Sequence, residues 1–279
     1  MAIRVQERLI KSAPPQEGQG GVPIFFISIL SRFKVKNSLK NMSKKVSKHY
    51  DKDYFDWQSS IGEFGGWANS TKFSDYISKD DVVLDFGCGG GFLLKGIDCK
   101  KRVGVEINPS AAENAKSNGI EVYTSAEDVP DEYADIVISN NALEHTLQPL
   151  DELKALHKKL KLGGKIIFVV PCESISYYYK PNDINHHLYS WSPMCIGNMF
   201  TEAGYSLIES KPYIHKWPPK YRFIARVGGR NLFEMACRIY GRIERSWFQV
   251  RAIGEKAHNA PLHLQGVATA EPCNGESGC

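Results

Sequence analysis

The chain has 279 residues, an apolar fraction of 42% and a formal net charge of +4 at neutral pH. This apolar fraction is sufficient for one α/β core, and so small a net charge does not by itself indicate a nucleic acid or any other partner. The apolar run at 22–30 is too short to cross a bilayer, which takes about 20 residues, and it lacks a signal-peptide cleavage site. The seven cysteines show no CxxC pair or zinc spacing, which predicts free thiols and a cytoplasmic location.

The composition changes along the chain and predicts four segments. Residues 1–41 combine prolines, glycines and scattered lysines without a sustained period, so we expect a disordered or poorly ordered extension. Residues 42–80 interleave aromatic and polar residues, which predicts helices that cover a pocket, with a break between two of them at Gly65-Gly66. Such an aromatic stripe is more often core packing than a cofactor contact. Residues 81–256 carry the main domain, and 257–279 are predicted to be a disordered tail.

The most informative stretch is the run VVLDFGCGGG at 82–91. Apolar and β-branched residues that end at glycines predict a buried parallel strand, a tight loop and then a helix that begins near Phe92. Glycines suit such a loop because they adopt backbone angles closed to other residues and let a ligand lie directly on the main chain. The free N–H groups of the helix that follows would face that ligand.

The spacing within this loop separates two kinds of nucleotide cofactor. A dinucleotide fold requires G-x-G-x-x-G, and Phe92 stands where the third glycine would be. Instead, Asp85 is followed by the alternating glycines Gly87, Gly89 and Gly91. A carboxylate there would repel a pyrophosphate and attract an ammonium or sulfonium group. The pattern therefore favours a cationic amino-acid nucleoside over NAD.

This stretch resembles the first motif of the class I S-adenosylmethionine-dependent methyltransferases, in which the loop cradles the methionine part of the cofactor. The resemblance implies that S-adenosyl-L-methionine is the cofactor and that Cys88 belongs to the binding loop together with the three glycines. It also implies an α/β fold, a Rossmann-like doubly wound sheet of about seven strands whose last strand is antiparallel. The alternation of strand and helix patterns from 82 to 170 independently predicts a parallel, doubly wound sheet.

A second acid supports this interpretation. The short strand at 102–106 ends in Glu106, about 20 residues after Asp85, the step at which a βαβ unit places a carboxylate opposite ribose hydroxyls. Glu106 could accept both hydroxyl hydrogens, and Ile107 beside it is assigned to the same site. The alternative is a solvated glutamate at the end of a strand.

The next two strands end in further candidate residues. By the resemblance, Ala126 and Glu127 follow the third strand where the family presents a backbone N–H and an acid to the adenine ring. A local cap by Ser125 with no ligand is the alternative. Asn140 ends the fourth strand, where family residues flank the methyl-donor sulfur.

Residues 141–145 raise the question of a metal. Some relatives that act on quinone precursors or small-RNA ends bind a divalent metal through Glu-x-x-Glu-His. Asn141 stands where the first glutamate would be, so we predict no metal. Glu144 and His145 are then as well explained by capping the next helix as by catalysis.

Two later segments bear on the acceptor. The stretch 174–192 is rich in tyrosine and histidine and predicts a loop over the pocket. We expect His186 or His187 to be the catalytic base, because neutral imidazole suits neutral pH, although each could simply pack on the tyrosines. Five aromatic residues of the loop could present flat faces to the acceptor: Tyr177, Tyr178, Tyr179, Tyr189 and Trp191.

The basic stretch 211–245 could contact phosphate or a membrane surface, or could be a solvated helix face. The strands predicted on either side of it, at 205–210 and 246–253, form the antiparallel pair that the resemblance implies.

These observations predict a methyltransferase that transfers the methyl group of S-adenosylmethionine to a small or carrier-linked acceptor, at oxygen rather than nitrogen. A hydroxyl on a nucleotide- or lipid-linked sugar fits the aromatic loop and the basic stretch. RNA is a less favoured rival, because stacking aromatics beside positive charge also describe a single-strand groove. An NAD-dependent reductase and a catalytically inactive, cofactor-binding partner subunit are the alternative functions.

Overall fold

The computed structural model describes residues 52–257 except 182 and 184, with side chains described from residue 61 onward. The predictions for residues 1–41 and 258–279 lie outside this part of the chain. Within it, no helix is both long and apolar enough to span a membrane.

Seven strands form one sheet in the order β3-β2-β1-β4-β5-β7-β6. The strands are β1 Val82–Phe86, β2 Lys101–Val105, β3 Glu121–Tyr123, β4 Ala134–Asn140, β5 Leu160–Glu173, β6 Ser206–Tyr213 and β7 Trp247–Glu255. Neighbours from β3 to β5 are parallel, whereas β7 runs antiparallel to both β5 and β6. The prediction of a doubly wound sheet whose last strand is antiparallel is confirmed.

Helices connect most of the strands. They are α1 Lys52–Ser70, α2 Phe92–Lys95, α3 Pro109–Ser117, α4 Pro149–Lys159, α5 Pro193–Glu202 and α6 Tyr221–Ile243. Proline occupies the first helical position of α3, α4 and α5, where its missing N–H costs nothing. The Asn108 side chain caps α3 and the Ser192 side chain caps α5, so local sequence signals define where these helices begin.

Both faces of the sheet are buried. On one face, Leu84 and Phe168 pack with Phe200 of α5. Their neighbours in sequence, Val83 and Ile167, pack on the other face. Successive side chains of a strand point to opposite faces, so a strand covered on both sides must be apolar throughout. This explains why β1, β4 and β5 are recognisable as continuous apolar runs.

Gly65-Gly66 does not separate two helices, and that prediction is wrong. Helix α1 continues through both glycines. A Cβ built on Gly66 would lie 2.2 Å from the Phe92 carbonyl oxygen, and one built on Gly62 would lie 2.4 Å from the Phe92 ring. Gly62 and Gly66 allow α1 to lie directly against the beginning of α2, which explains why glycine stands at these two positions.

The opposite side of α1 packs against α6 through an aromatic cluster. Phe64 and Trp67 contact Phe233, with ring centroids 5.6 and 5.3 Å apart. Arg230 adds a hydrogen bond of 2.9 Å to the Trp67 carbonyl oxygen. For these two described aromatics of the N-terminal stripe, core packing is therefore the correct interpretation.

The glycine pair in α1 gives a matched prediction. Gly66→Ala is expected to lower the free energy of unfolding by about 1–3 kcal/mol, because the new methyl group must displace the backbone of Phe92. Gly65→Ala places its methyl 3.6 Å from Ile61, an ordinary contact, and should be neutral or stabilising by up to about 1 kcal/mol through helix propensity. Urea denaturation of both variants tests this, and equal effects would contradict it.

Candidate active site

A cleft of about 460 Å³ opens at the carboxyl ends of the central strands. Its walls are the glycine loop after β1, the face of α1 that carries Gly62, Gly65 and Gly66, the ends of β4 and β5, and the segment after β5. In parallel α/β sheets this is the position at which ligands bind. Six of the predicted site residues line this cleft, namely Asp85, Gly87, Cys88, Gly89, Asn140 and His187.

The glycine loop has the conformation that its sequence predicts. Gly87, Gly89 and Gly91 have φ angles of 76°, 53° and 77°, all in the left-handed region. A Cβ on Gly91 would lie 2.2 Å from the end of the Ile120 side chain and 3.1 Å from the Cα atom of Ala115 in α3, so this glycine serves packing against α3 and the residue before β3. Gly87 and Gly89 line the cleft itself. A Cβ on Gly87 would lie 2.3 Å from the Cβ of Ala142, so this glycine also allows the loop to pack closely on the residues after β4.

Asp85 presents a buried carboxyl group to the cleft. Its residue surface is 2% exposed, and its Oδ1 atom has no hydrogen-bond partner within the described chain. Burial, and then the neighbouring Glu106, raises the pKa of Asp85 well above its usual value. A buried acceptor of this kind requires a donor, and a cationic one relieves both effects.

Glu106 lies behind the glycine loop. One carboxylate oxygen accepts a hydrogen bond of 2.8 Å from the Gly89 N–H, and the other accepts one of 2.7 Å from the Asn108 N–H. Burial raises the pKa of Glu106, and the backbone donors oppose that rise. Each carboxylate oxygen has further acceptor capacity, so the assignment to ribose hydroxyls stays a prediction.

The other residues assigned to the cofactor lie outside the lining of the cleft. Ile107 is half-buried, Ala126 is buried and Glu127 is exposed. The Ser125 hydroxyl accepts a hydrogen bond of 3.1 Å from the Glu127 N–H. This bond is the local cap that the sequence allowed as an alternative to an adenine contact. Contact of these three residues with adenine stays a prediction.

A buried lysine supports the end of β4. Lys72 Nζ donates hydrogen bonds of 2.8 Å to Asn140 Oδ1 and 3.0 Å to Gln249 Oε1. Gln249 in turn donates to Asn141 Oδ1 over 3.2 Å, so this network joins the cleft wall to β7. Burial lowers the pKa of Lys72 to about 7, and Glu234 opposes that change. The role of Lys72 is not predictable from the sequence, because a single lysine in a polar segment usually indicates exposure.

A buried carboxylate lies between two histidines that line the cleft. Glu144 is fully buried, and neither of its carboxylate oxygens has a hydrogen-bond partner among the described residues. Its Oε1 atom lies 3.8 Å from His145 Nε2 and 3.9 Å from His187 Nε2. Burial, with a further contribution from Glu173, raises the pKa of Glu144 to about 8.

The structure distinguishes the two histidines that were predicted as bases. His187 lines the cleft, and its Nδ1 atom lies 2.7 Å from Glu173 Oε1. The Leu188 N–H donates a hydrogen bond of 2.9 Å to the Glu144 carbonyl oxygen, which fixes this segment over the site. His186 is exposed and is not among the residues that line the cleft. Its assignment as a base stays a prediction.

The aromatic side chains around the cleft differ from those expected. Of the predicted set, Tyr177 lines the cleft, whereas Tyr179 is 90% exposed. Trp191 is 1% exposed within the core, so its predicted contact with the acceptor is wrong. Trp217 and Trp247, which sequence analysis did not assign to the site, line the cleft instead. They come from distant segments, so no local pattern could have identified them.

Comparison with known proteins adds a family match. A family model for a methyltransferase domain matches residues 65–210, just over half of the chain. The ubiquinone biosynthesis O-methyltransferase of Ruegeria pomeroyi is 34% identical over 96 residues, which are 29% of this chain and 38% of that protein. The ribosomal protein L11 methyltransferase of Photobacterium profundum is 32% identical over 122 residues, which are 38% of this chain and 39% of that protein. The chain thus matches about two fifths of the length of these curated relatives.

Among solved structures, the methyltransferase in complex with the Haloferax volcanii Trm112 methyltransferase activator superposes with a TM-score of 0.52. The sequences are 19% identical, and the match covers 75% of this chain and 99% of that chain. This similarity shows a shared fold.

The depressed pKa of Lys72 predicts a pH dependence of stability. The folded pKa of about 7 lies below the ordinary value of 10.5, so the unfolded chain binds more protons between these values and the free energy of unfolding rises with pH there. We expect this rise, on the order of a few kcal/mol, to disappear in Lys72→Met. Urea denaturation at intervals from pH 6.5 to about 10 measures it. Lys116→Met, on the exposed face of α3, should keep the wild-type slope; an unchanged slope in Lys72→Met would contradict the prediction.

Proposed function

Since the chain belongs to the class I S-adenosylmethionine-dependent methyltransferases, we propose that it methylates a hydroxyl oxygen of a carrier-linked acceptor. The observation that supports this proposal is the arrangement of the cleft. A buried carboxyl group with one unpartnered oxygen, Asp85, and a histidine–carboxylate pair, His187 and Glu173, both line this cleft. The family match selects a methyltransferase over the NAD-dependent reductase that was the main alternative.

The cofactor end fits S-adenosylmethionine by charge and by shape. Asp85 offers an unpartnered oxygen for the ammonium group of the methionine part. Gly87 and Gly89 line the cleft where that part would lie. Glu106, which already receives the Gly89 N–H, brings a second negative charge to the same loop. A pyrophosphate would meet two carboxylates here and would be repelled.

The acceptor end fits an oxygen nucleophile. Bound S-adenosylmethionine supplies a methyl group activated by its sulfonium, so that a C–O bond forms as the C–S bond breaks and its electron pair goes to sulfur. The chain must align the acceptor and receive its hydroxyl proton. His187 suits this role because its Nδ1 atom is held by Glu173, which leaves the Nε2 atom as the proton acceptor.

The surface of α6 supports a lipid-linked acceptor. After a break at Gly229, whose φ is 61°, four apolar side chains recur at helical spacing on the outward face and are 38–74% exposed. These are Leu232, Met235, Ile239 and Ile243. Arginines at 238, 242 and 245 are exposed beside them. An apolar stripe bordered by arginine is typical of a helix that lies in the surface of an anionic membrane.

This surface favours a lipid over RNA. Binding of single-stranded RNA requires aromatic platforms along a basic groove, whereas the outward face of α6 after its break is aliphatic. The aromatic side chains Trp217 and Trp247 line the cleft, where they suit the sugar or ring that carries the hydroxyl. Contact with a membrane would then bring the carrier close to the reacting atoms.

The cofactor assignment predicts the effect of removing the charge of Asp85. Asp85→Asn keeps the shape of the side chain and should weaken S-adenosylmethionine binding by about 1–3 kcal/mol, because a charged hydrogen bond is lost. Glu106→Ala should have an effect of similar size. Titration calorimetry measures both, with Asp98→Asn, on the exposed surface, as the matched control. Wild-type affinity in Asp85→Asn and Glu106→Ala would contradict the assigned site.

The acceptor assignment predicts membrane binding through α6. The full chain should cosediment with vesicles rich in an anionic phospholipid, and Ile239→Glu should reduce the bound fraction several-fold, because a charge would enter the apolar stripe. Ile208→Glu, on the exposed edge strand β6, should bind as the wild type does.

The same preparations are assayed for methyl transfer to lipid-linked sugars, sugar nucleotides and single-stranded RNA. Transfer to a lipid-linked hydroxyl supports the proposal. Transfer to RNA alone, with RNA binding that falls about a hundredfold between low and physiological salt, would overturn it. Cofactor binding without transfer to any acceptor would instead support the inactive partner subunit.

A further inference from the structure

We propose that Glu144, His145 and His187 bind one divalent transition-metal ion at the acceptor end of the cleft. The site itself rests on the geometry of these side chains, whereas its role in methyl transfer rests on the proposed function. One ligand atom from each of the three residues can be chosen so that all lie within 4.8 Å of one another.

The three groups are close to the arrangement that an ion requires. A tetrahedral ion holds nitrogen and oxygen ligands at about 2.0–2.2 Å, and therefore places them about 3.3–3.6 Å apart. Glu144 Oε1 lies 3.8 and 3.9 Å from the Nε2 atoms of His145 and His187. The Glu144 oxygen would move only a few tenths of an ångström toward each imidazole. The two imidazoles, whose ligand atoms lie within 4.8 Å of each other, would move together to complete the coordination.

Glu144 is the strongest indication of a ligand. It is fully buried, and both carboxylate oxygens have no hydrogen-bond partner among the described residues. The two imidazole nitrogens are beyond hydrogen-bond distance from it. A polar group that is buried without a partner is costly unless something binds it. An ion between the carboxylate and the two imidazoles would give the Glu144 carboxylate the partner that it lacks among the described residues.

A second layer of contacts orients the ligands. The Glu173 carboxylate lies 2.7 Å from His187 Nδ1, the relation by which carboxylates fix the tautomer of metal-binding histidines. It leaves the lone pair of Nε2 on the side of Glu144. The hydrogen bond from the Leu188 N–H to the Glu144 carbonyl oxygen holds the two segments of the site together.

The ligand set indicates the kind of ion. Two imidazoles and one carboxylate suit Zn²⁺, Mn²⁺, Fe²⁺ or Co²⁺, whereas Ca²⁺ and Mg²⁺ prefer oxygen ligands alone. Three protein ligands leave at least one coordination position for another molecule, as in catalytic rather than structural sites. His145 and His187 both line the cleft, so this position is accessible to an acceptor.

The prediction of no metal rested on Asn141, which replaces a glutamate of the motif. The third group of the proposed site comes instead from His187, far along the chain, and only the fold brings it to Glu144 and His145. Asn141 also lines the cleft, but its Oδ1 atom accepts a hydrogen bond from Gln249.

A bound ion would change the role of His187 from proton acceptor to ligand. An acceptor hydroxyl on the open position would ionise more readily, because a divalent ion lowers the pKa of a bound oxygen acid. Its proton would pass to solvent through the open cleft, and the resulting oxygen anion would attack the methyl carbon. The C–S bond would break as the C–O bond forms, its electron pair would go to sulfur, and S-adenosylhomocysteine and the methylated acceptor would result.

The test is Co²⁺ binding by the full chain after EDTA treatment and dialysis. Visible absorption of Co²⁺ should saturate at one ion per chain without the intense bands of thiolate ligands, and Zn²⁺ should displace it. Glu144→Gln and His187→Gln should each weaken binding at least about tenfold. His157→Gln is the matched control, because that histidine packs against Tyr205 outside the cleft.

S-adenosylmethionine affinity, measured on the same samples, separates this proposal from the proposed function. Cofactor binding that persists while Co²⁺ fails to saturate at one ion per chain would overturn the metal site alone. Equal Co²⁺ affinity in all variants, or thiolate bands in the spectrum, would also overturn it. Methyl transfer at an unchanged rate in the EDTA-treated chain would overturn the role of the ion in catalysis.

Discussion

The main physical constraint on this structure is the burial of two carboxyl groups to which the described chain does not supply all the hydrogen bonds that they need. Asp85 and Glu144 are almost completely excluded from water, and each has at least one oxygen without a hydrogen-bond partner among the described residues. Such groups disfavour the folded state unless they are protonated or meet a cation. Ligands that supply positive charge should therefore stabilise the fold as they bind. Asp85 lines the cleft, and Glu144 lies beside two histidines that line it. A cation that binds in the cleft would therefore also stabilise the fold.

The sheet was predictable because its signals are local. Strands that are covered on both faces must be apolar along their whole length, and β1 and β4 show this directly in the sequence. The left-handed glycines of the loop follow from their own spacing. Asp85 was predictable for the same reason, because its position at the end of a strand is defined by its immediate neighbours.

Features that depend on contact between distant segments were not predictable. The glycine pair in α1 was interpreted as a helix break, because glycine usually has that effect, but Gly66 is required by the backbone of Phe92. Lys72 was not predictable for the same reason, because its hydrogen-bond partners lie on the distant strands β4 and β7. Trp191 was assigned to the cleft from its neighbours in sequence, yet its burial is decided by the packing of the core.

The reversed direction of β7 has a consequence for the divergence of this architecture. Its first residue, Trp247, pairs with Glu173 at the end of β5, so the strand begins at the mouth of the cleft. The segment between β6 and β7, which includes α6, therefore leads directly into the cleft. Changes in the length or surface of this segment can alter which molecules reach the cleft while the parallel strands that hold Asp85 and Asn140 stay the same. Under the proposed function, much of the surface that meets the acceptor and the loop that holds the cofactor therefore lie in different parts of the chain, and each could change while the other is kept.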